Sequence, residues 1–384
     1  MTSTVLIAPD KFKGSLTAGE VADALAAGLR SAGSDGTGTV HCEILPLADG
    51  GDGSVDAAVV SGFARHRCTV AGPTGQPVRA SVAFDGITAV VEVANTCGLT
   101  VLTGSTLEPL DASSRGFGEA VRFALTLGPS RVVLALGGSS STDGGMGMLT
   151  ALGLNFLDQS GASLEGTGRS LSQVHSVTGP LVPELDGVEL ILASDVHNPL
   201  YGPTGAAAVF GPQKGATPSD VSTLDAGLKH FSSVLTGAGL FSGGASNAAH
   251  HPGAGSAGGV GFACLLMGAK QVSGADYFLD LLDFDARKDV CDVVITGEGS
   301  IDDQTLAGKL PAAVARRSGP RPIIAVAGRS LLAREQWAEM SLASVYALTD
   351  YTDLDSSKDA ELSADLLRVI GREIGDAVLG IAQS

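Results

Sequence analysis

Residues Gly137 to Gly145 read GGSSSTDGG, a short run holding glycines, hydroxyls and one carboxylate. Glycine lets backbone N–H groups approach an anion closely. The hydroxyls of Ser139 and Ser140 add donors, and Asp143 offers an oxygen ligand for a hard cation. The competing reading is a polar loop that only caps the helix after it. Four further stretches carry groups of the same kind. Asp10, Lys11, Lys13 and Ser15 crowd together before a helix start, where two lysines attract a carboxylate or phosphate unless they are merely solvated. Asp49 and Asp52, among Gly50, Gly51 and Gly53, suit Mg²⁺ bound through water, or a turn rich in Asp and Gly. Asp195 leads a loop containing His197, Asn198 and Pro199, and Glu298, Asp302 and Gln304 follow Thr296-Gly297. His197 alone reads as a structural hydrogen-bonder.

Each group follows an apolar run of strand length. Val5 to Ala8 precedes Asp10, and Glu43 to Ala48 precedes Asp49. Val132 to Leu136 precedes Gly137, Glu189 to Ala193 precedes Asp195, and Asp292 to Thr296 precedes Glu298. Helical patterns follow several of these loops. After Ser15, Thr17 and Glu20 have capping-box spacing, and Val21, Ala24, Leu25, Gly28 and Leu29 share one face. Strand, loop, helix is the grammar of an α/β fold, whose functional crevices lie outside the carboxyl ends of the strands. Carboxylates, lysines and glycine loops gathered there suit Mg²⁺-dependent phosphoryl transfer, which needs cationic clamps on phosphate and a carboxylate to take the acceptor's proton. The sequence lacks both the Gly-x-x-x-x-Gly-Lys-Ser/Thr loop and the protein-kinase motif set, so neither standard nucleotide cradle applies. Gly253-x-Gly255-x-x-Gly258 matches a dinucleotide fingerprint in form only, since no strand is expected before it; close helix packing is the better reading.

The whole chain bounds these readings. At 384 residues it exceeds one ordinary hydrophobic core, so two domains are expected. From Cys68 to Gly98 β-branched residues alternate between Gly and Pro turns, suggesting antiparallel strands and a domain boundary near Arg65–Arg67. Clear α/β alternation returns near Asp292, and the last helix is expected to pack through Leu362, Leu366, Val369 and Ile370. The net charge of −17 argues against a nucleic-acid or anionic-membrane partner. Five scattered cysteines without a CxxC pair read as thiols of a reducing compartment. With no apolar run of membrane-spanning length and a strand starting close to Met1, a cytoplasmic protein is expected.

The blocks APDKFKGSL (Ala8 to Leu16), DGGDGS (Asp49 to Ser54), GGSSSTDGG, SDVHNPLYGP (Ser194 to Pro203), GAGSAGG (Gly253 to Gly259) and TGEGSIDDQTLAGK (Thr296 to Lys309) together resemble the glycerate kinase type-1 family, in that family's order. The resemblance implies ATP-dependent phosphorylation of D-glycerate with Mg²⁺. The expected product is 2-phosphoglycerate, with 3-phosphoglycerate as the alternative. It implies two α/β domains with the active site in the cleft between them: a discontinuous Rossmann-like domain with a parallel sheet, residues 1–66 and 287–384, and an inserted domain, residues 67–286. As site roles, Asp195 is expected to be the general base, because it leaves a strand in a Pro-fixed loop, and Lys13 with Lys11 is expected to neutralise the phosphoryl group or the carboxylate. Asp49 and Asp52 are the candidates to hold Mg²⁺. Ser15, Gly137, Gly138, Ser139, Ser140, Asp143, Asn198, Glu298, Asp302 and Gln304 line the substrate and phosphate sites. The partners are then D-glycerate and ATP, and a homodimer is left open. Two rival classes stand beside this one: an NAD-dependent hydroxy-acid oxidoreductase, and a non-catalytic two-lobed binder of small organic acids.

Overall fold

The computed structural model describes residues 2–33, 38–102, 106–241, 245–306 and 309–381. The chain divides into two compact units, Met1–Asp49 with Ala275–Ser384, and Gly50–Gly274. In chain order the strands are β1 (Thr2–Pro9), β2 (Thr39–Ile44), β3 (Ala64–Ala71), β4 (Pro77–Phe84), β5 (Thr88–Glu92) and β6 (Arg131–Ala135). They continue with β7 (Asn155–Leu157), β8 (Ser176–Thr178), β9 (Glu189–Ala193), β10 (Lys270–Val272), β11 (Val293–Ile301), β12 (Ile323–Ser330) and β13 (Leu342–Ala347).

The discontinuous unit is a parallel sheet in the order β13-β12-β11-β1-β2. A parallel sheet must be covered on both faces, so its strands are apolar throughout and alternate residues serve opposite cores. On β12, Ile324 and Val326 pack with Leu25, Leu29, Leu367, Ile370 and Ile374 from the helices Ala18–Ser31 and Ala360–Ile381. Ile323, Ala325 and Ala327 face the other way, against Ala315 of the helix Leu310–Ser318. The Thr17–Glu20 capping box forms as the spacing predicts: Thr17 N–H donates to Glu20 Oε2 at 2.8 Å, and Glu20 N–H to Thr17 Oγ1 at 3.2 Å. The order reverses between β1 and β11. β1 connects outward to β2 while β11, β12 and β13 run the other way, which makes the carboxyl ends of β1 and β11 the switch point of the sheet.

The continuous unit holds a six-stranded mixed sheet, β10-β9-β6-β5-β4-β3, and the small antiparallel pair β7-β8. β5, β6, β9 and β10 are parallel, and β3 and β4 add an antiparallel edge. The loops after β6 and β9 therefore leave adjacent parallel strands at the same end.

Three local expectations change. Arg65, His66 and Arg67 pair with Ala83, Val82 and Ser81 in the middle of β3, so the texture shift there marks a strand and not a join. The strand before Asp49 is β2, which begins at Thr39 and ends at Ile44. Leu45 and Leu47 still donate to Ile7 O and Pro9 O, but Pro46 between them has no N–H to extend a ladder. In the last helix Val369 is 48% exposed, and the buried face runs through Leu367, Ile370 and Ile374. Among the described residues no helix is long and apolar enough to cross a membrane.

Candidate active site

In the discontinuous unit two candidate side chains, Asp10 and Glu298, stand at the switch point. Asp10 is the first residue beyond β1, and its N–H donates to Gly297 O of β11 at 2.8 Å, which sets Asp10 beside Glu298 on the neighbouring strand. Burial pushes the Asp10 carboxyl up to about 7. Lys11 opposes this, with its Nζ 3.7 Å from Asp10 Oδ1, while Asp49 and Glu298 add repulsion. Burial also raises Glu298, against a 2.5 Å hydrogen bond from Thr305 Oγ1 and the nearby Lys309 ammonium. Lys309 Nζ lies 3.8 Å from Glu298 Oε2 and 3.6 Å from Asp302 Oδ1. Asp302 and Thr305 bond each other through backbone N–H and side-chain oxygen, at 3.1 and 3.3 Å, which fixes the turn into the helix Asp303–Leu306. Gln304 belongs to that helix, but its side chain lies outside the described residues.

Lys13 and Ser15 occupy a tight turn pinned at its base, where Phe12 N–H donates to Leu16 O and Leu16 N–H to Phe12 O. Lys13 is exposed at its tip, and Ser15 Oγ donates back to Phe12 O at 3.3 Å. Asp49, half-buried, closes this unit's first segment. Asp49 raises the proton affinity of both Asp10 and Glu298, and such carboxylate oxygens are hard ligands of the kind Mg²⁺ takes. Among the described residues no three His, Cys, Asp or Glu side chains stand together as metal ligands.

In the continuous unit Gly137–Gly145 leaves β6 and is held from inside. Asp143, fully buried, accepts from Ser114 N–H (2.8 Å), Ser114 Oγ (2.7 Å) and Gly147 N–H (3.2 Å) on Oδ2, and from Gly145 N–H (3.1 Å) on Oδ1. Burial still raises its proton affinity against those bonds. With every approach occupied, Asp143 shapes the loop; the expectation that it meets a ligand is corrected here. Ser140 likewise turns inward, its Oγ donating to Cys97 O at 2.8 Å. Ser139 Oγ meets Lys214, whose Nζ donates to it at 2.8 Å and to Ser141 O at 2.5 Å. Lys214 is 2% exposed, and burial depresses its pKa to about 8, against the opposing pull of Asp143 and Cys97. Gly138 is the exposed residue of the run, with φ +79°.

Asp195 is exposed just beyond β9, and its Oδ1 accepts from Gly274 N–H at 3.0 Å. Asn198 braces the same loop, donating from Nδ2 to Thr204 O at 2.8 Å. Asp52 sits in the turn before the helix Ser54–Val60, where the buried Glu92 caps Val55 N–H at 2.9 Å. The Gly253–Gly259 segment packs against both loops. Ser194 Oγ and Ser256 Oγ share a hydrogen bond of 3.0 Å, and Gly144 N–H donates to Gly258 O at 3.0 Å. A Cβ at Gly255 would lie 2.4 Å from Pro199 O, and one at Gly258 2.1 Å from Ser141 O. These glycines let backbone meet backbone, which is why the segment matches a dinucleotide fingerprint without following a strand.

Residues 5–378 match the glycerate kinase family. This chain belongs to the glycerate kinase family. It is 42% identical over 333 residues to a glycerate kinase of Bacillus subtilis (strain 168), covering 84% of each chain. It is 38% identical over 337 residues to the glycerate 2-kinase of Escherichia coli (strain K12), again over 84% of each. A solved structure of a candidate glycerate kinase 2 from Salmonella typhimurium LT2 superposes with a TM-score of 0.80 at 34% identity, covering 100% of both chains.

Within this glycerate kinase fold, sequence reasoning missed four groups: Lys214, Ser114, Thr305 and Lys309. Lys309 closes a quoted block and Thr305 sits within it, so a search for partners of Glu298 would have found them. Lys214, between Gln213 and Gly215, carries no local signal; only its burial against the β6 loop reveals it. Arg115, an added charge near Ser114, pairs with Glu119 one helical turn on, at 2.9 Å.

Proposed function

We propose that the protein transfers the γ-phosphoryl group of ATP to the secondary hydroxyl of D-glycerate, giving ADP and 2-phosphoglycerate. The observation that carries this reading is family membership over residues 5–378, joined to the likeness to a relative named for 2-kinase activity. The placement of carboxylates and lysines beyond strand ends supports it. In this reading Asp195 accepts the proton of the attacking hydroxyl, because it is an exposed carboxylate anchored by a backbone N–H just past a central strand. Lys11 and Lys13 neutralise anionic oxygens of the substrates, and the Gly137–Gly138 backbone receives an anion. Asp49 and the neighbouring Asp10 carboxylate would hold a Mg²⁺ ion that keeps several waters, and the ion when bound would neutralise phosphate charge. The test is ADP release by the purified protein supplied with ATP and Mg²⁺. Release that depends on D-glycerate is the expected result. Release that ignores D-glycerate, or none from folded protein, contradicts the proposal.

A further inference from the structure

Lys214 is a buried cation with no carboxylate in contact, Asp143 acting on it only through space. The residue is 2% exposed, and among the described residues no carboxylate lies within ion-pair distance of Nζ. Buried charges are ordinarily paired, because desolvation is costly. Its two acceptors, Ser139 Oγ and Ser141 O, are neutral. An ammonium can only donate, so Ser139 Oγ is necessarily the acceptor of the 2.8 Å bond, and the Ser139 hydroxyl keeps its own proton to give. No second partner for that hydroxyl is found among the described residues. The neighbouring groups are committed or enclosed: Ser140 Oγ donates to Cys97 O, Asp143 accepts four bonds, and Ser141 Oγ and Thr142 Oγ1 are buried without partners. Ser139 lies in the loop four residues beyond β6, itself 5% exposed and directly after the exposed Gly138.

We propose that Lys214 is a positioning residue acting through Ser139: it polarises the Ser139 hydroxyl, whose proton is donated to an anionic oxygen of a substrate, a carboxylate or a phosphate. A hydroxyl accepting from a cation becomes a stronger donor, and the incoming negative charge adds the charge compensation that no contacting carboxylate gives Lys214. The inference rests on the kinase reading only in taking that oxygen from D-glycerate or ATP.

The experiment is calorimetric binding of D-glycerate and of ATP with Mg²⁺, each separately, together with steady-state kinetics. The proteins are the wild type, Lys214→Met, Ser139→Ala, Ser139→Thr and the double variant Lys214→Met/Ser139→Ala. Lys214→Met and Ser139→Ala should each weaken one of the two substrates at least tenfold, in Kd and in KM, and leave the other within twofold. The affected substrate identifies the anion's source. The double variant should be no weaker than Ser139→Ala alone, and Ser139→Thr, which keeps the hydroxyl, should restore binding to within about threefold of wild type. A merely structural lysine would shift both substrates together. Unchanged binding of both substrates in folded Ser139→Ala overturns the inference, even if Lys214→Met fails to fold. Additive losses in the double variant also overturn it. Wild-type protein that binds both substrates but transfers no phosphoryl group would refute the kinase reading and leave this inference to the binding data. Binding of neither substrate by folded wild type would refute both.

Discussion

Replacing Lys214 by methionine tests whether the cation beneath the β6 loop is held at an electrostatic cost. The side chain is 2% exposed, and its pKa falls from 10.5 to about 8 through burial. A lysine whose folded pKa lies below its unfolded value binds fewer protons folded than unfolded between the two. Stability therefore rises with pH across that window. Below pH 8 wild-type protein carries the whole penalty, and above 10.5 none of it. A shift of that size corresponds to roughly 3 kcal/mol, at about 1.4 kcal/mol per unit. Methionine keeps the length and apolar volume but has no proton to lose. It also removes the bonds to Ser139 Oγ and Ser141 O, a pH-independent cost of about 1–3 kcal/mol. Urea titrations of both full-length proteins from pH 7 to 10.5 give the wild-type-minus-variant difference in unfolding free energy. Other titrating groups cancel in that difference. It should be smallest near pH 7 and grow by ~3 kcal/mol up to pH 10.5. A difference flat to within ~0.5 kcal/mol would refute the depressed pKa and the argument from burial behind it.

Three further outcomes follow from the same geometry. Asp143→Asn replaces one acceptor oxygen by an NH₂ that faces backbone donors, so unfolding free energy should fall by roughly 2–4 kcal/mol; a loss under about 0.5 would contradict the four-bond account. Asp10 has a folded pKa near 7, above its unfolded 3.8, so its penalty is absent below pH 3.8 and complete above 7. Asp10→Asn should therefore gain on wild type by ~2–4 kcal/mol between pH 4 and 7.5, and parallel stability curves would disprove it. Asp195→Asn should lower kcat by ~10²–10⁴ with its circular dichroism unchanged; activity within about tenfold, a barrier change of only ~1.4 kcal/mol, would remove it as the base.

The strands were legible wherever a buried apolar run met a glycine or aspartate. Val5–Ala8, Val132–Leu136 and Glu189–Ala193 all lie on or against parallel strands, because a strand buried on both faces must be apolar throughout. The capping box was legible because it is local. Spatial partnership was not. Asp143 and Asp195 look equivalent in sequence, each an aspartate after a strand. Their chemistry divides only when Ser114 and Gly147 close over one while Gly274 N–H touches the other from its side. Lys214 was invisible for the same reason: its partner loop lies far upstream, and nothing in Gln213-Lys214-Gly215 distinguishes a buried lysine from a solvated one. Resemblance across six motif blocks carried the reading from an anion-binding enzyme to glycerate, a step that residue spacing could not make.

The central claim is that phosphoryl transfer goes to a hydroxyl of D-glycerate, and ³¹P NMR of the products tests it most directly. Purified protein with ATP, Mg²⁺ and D-glycerate should yield ADP and a phosphomonoester resonance split by one proton, as a phosphate on the secondary carbon requires. A resonance split by two protons would move the acceptor to the terminal hydroxyl. Intact ATP, with the protein folded and D-glycerate bound, would contradict the claim outright.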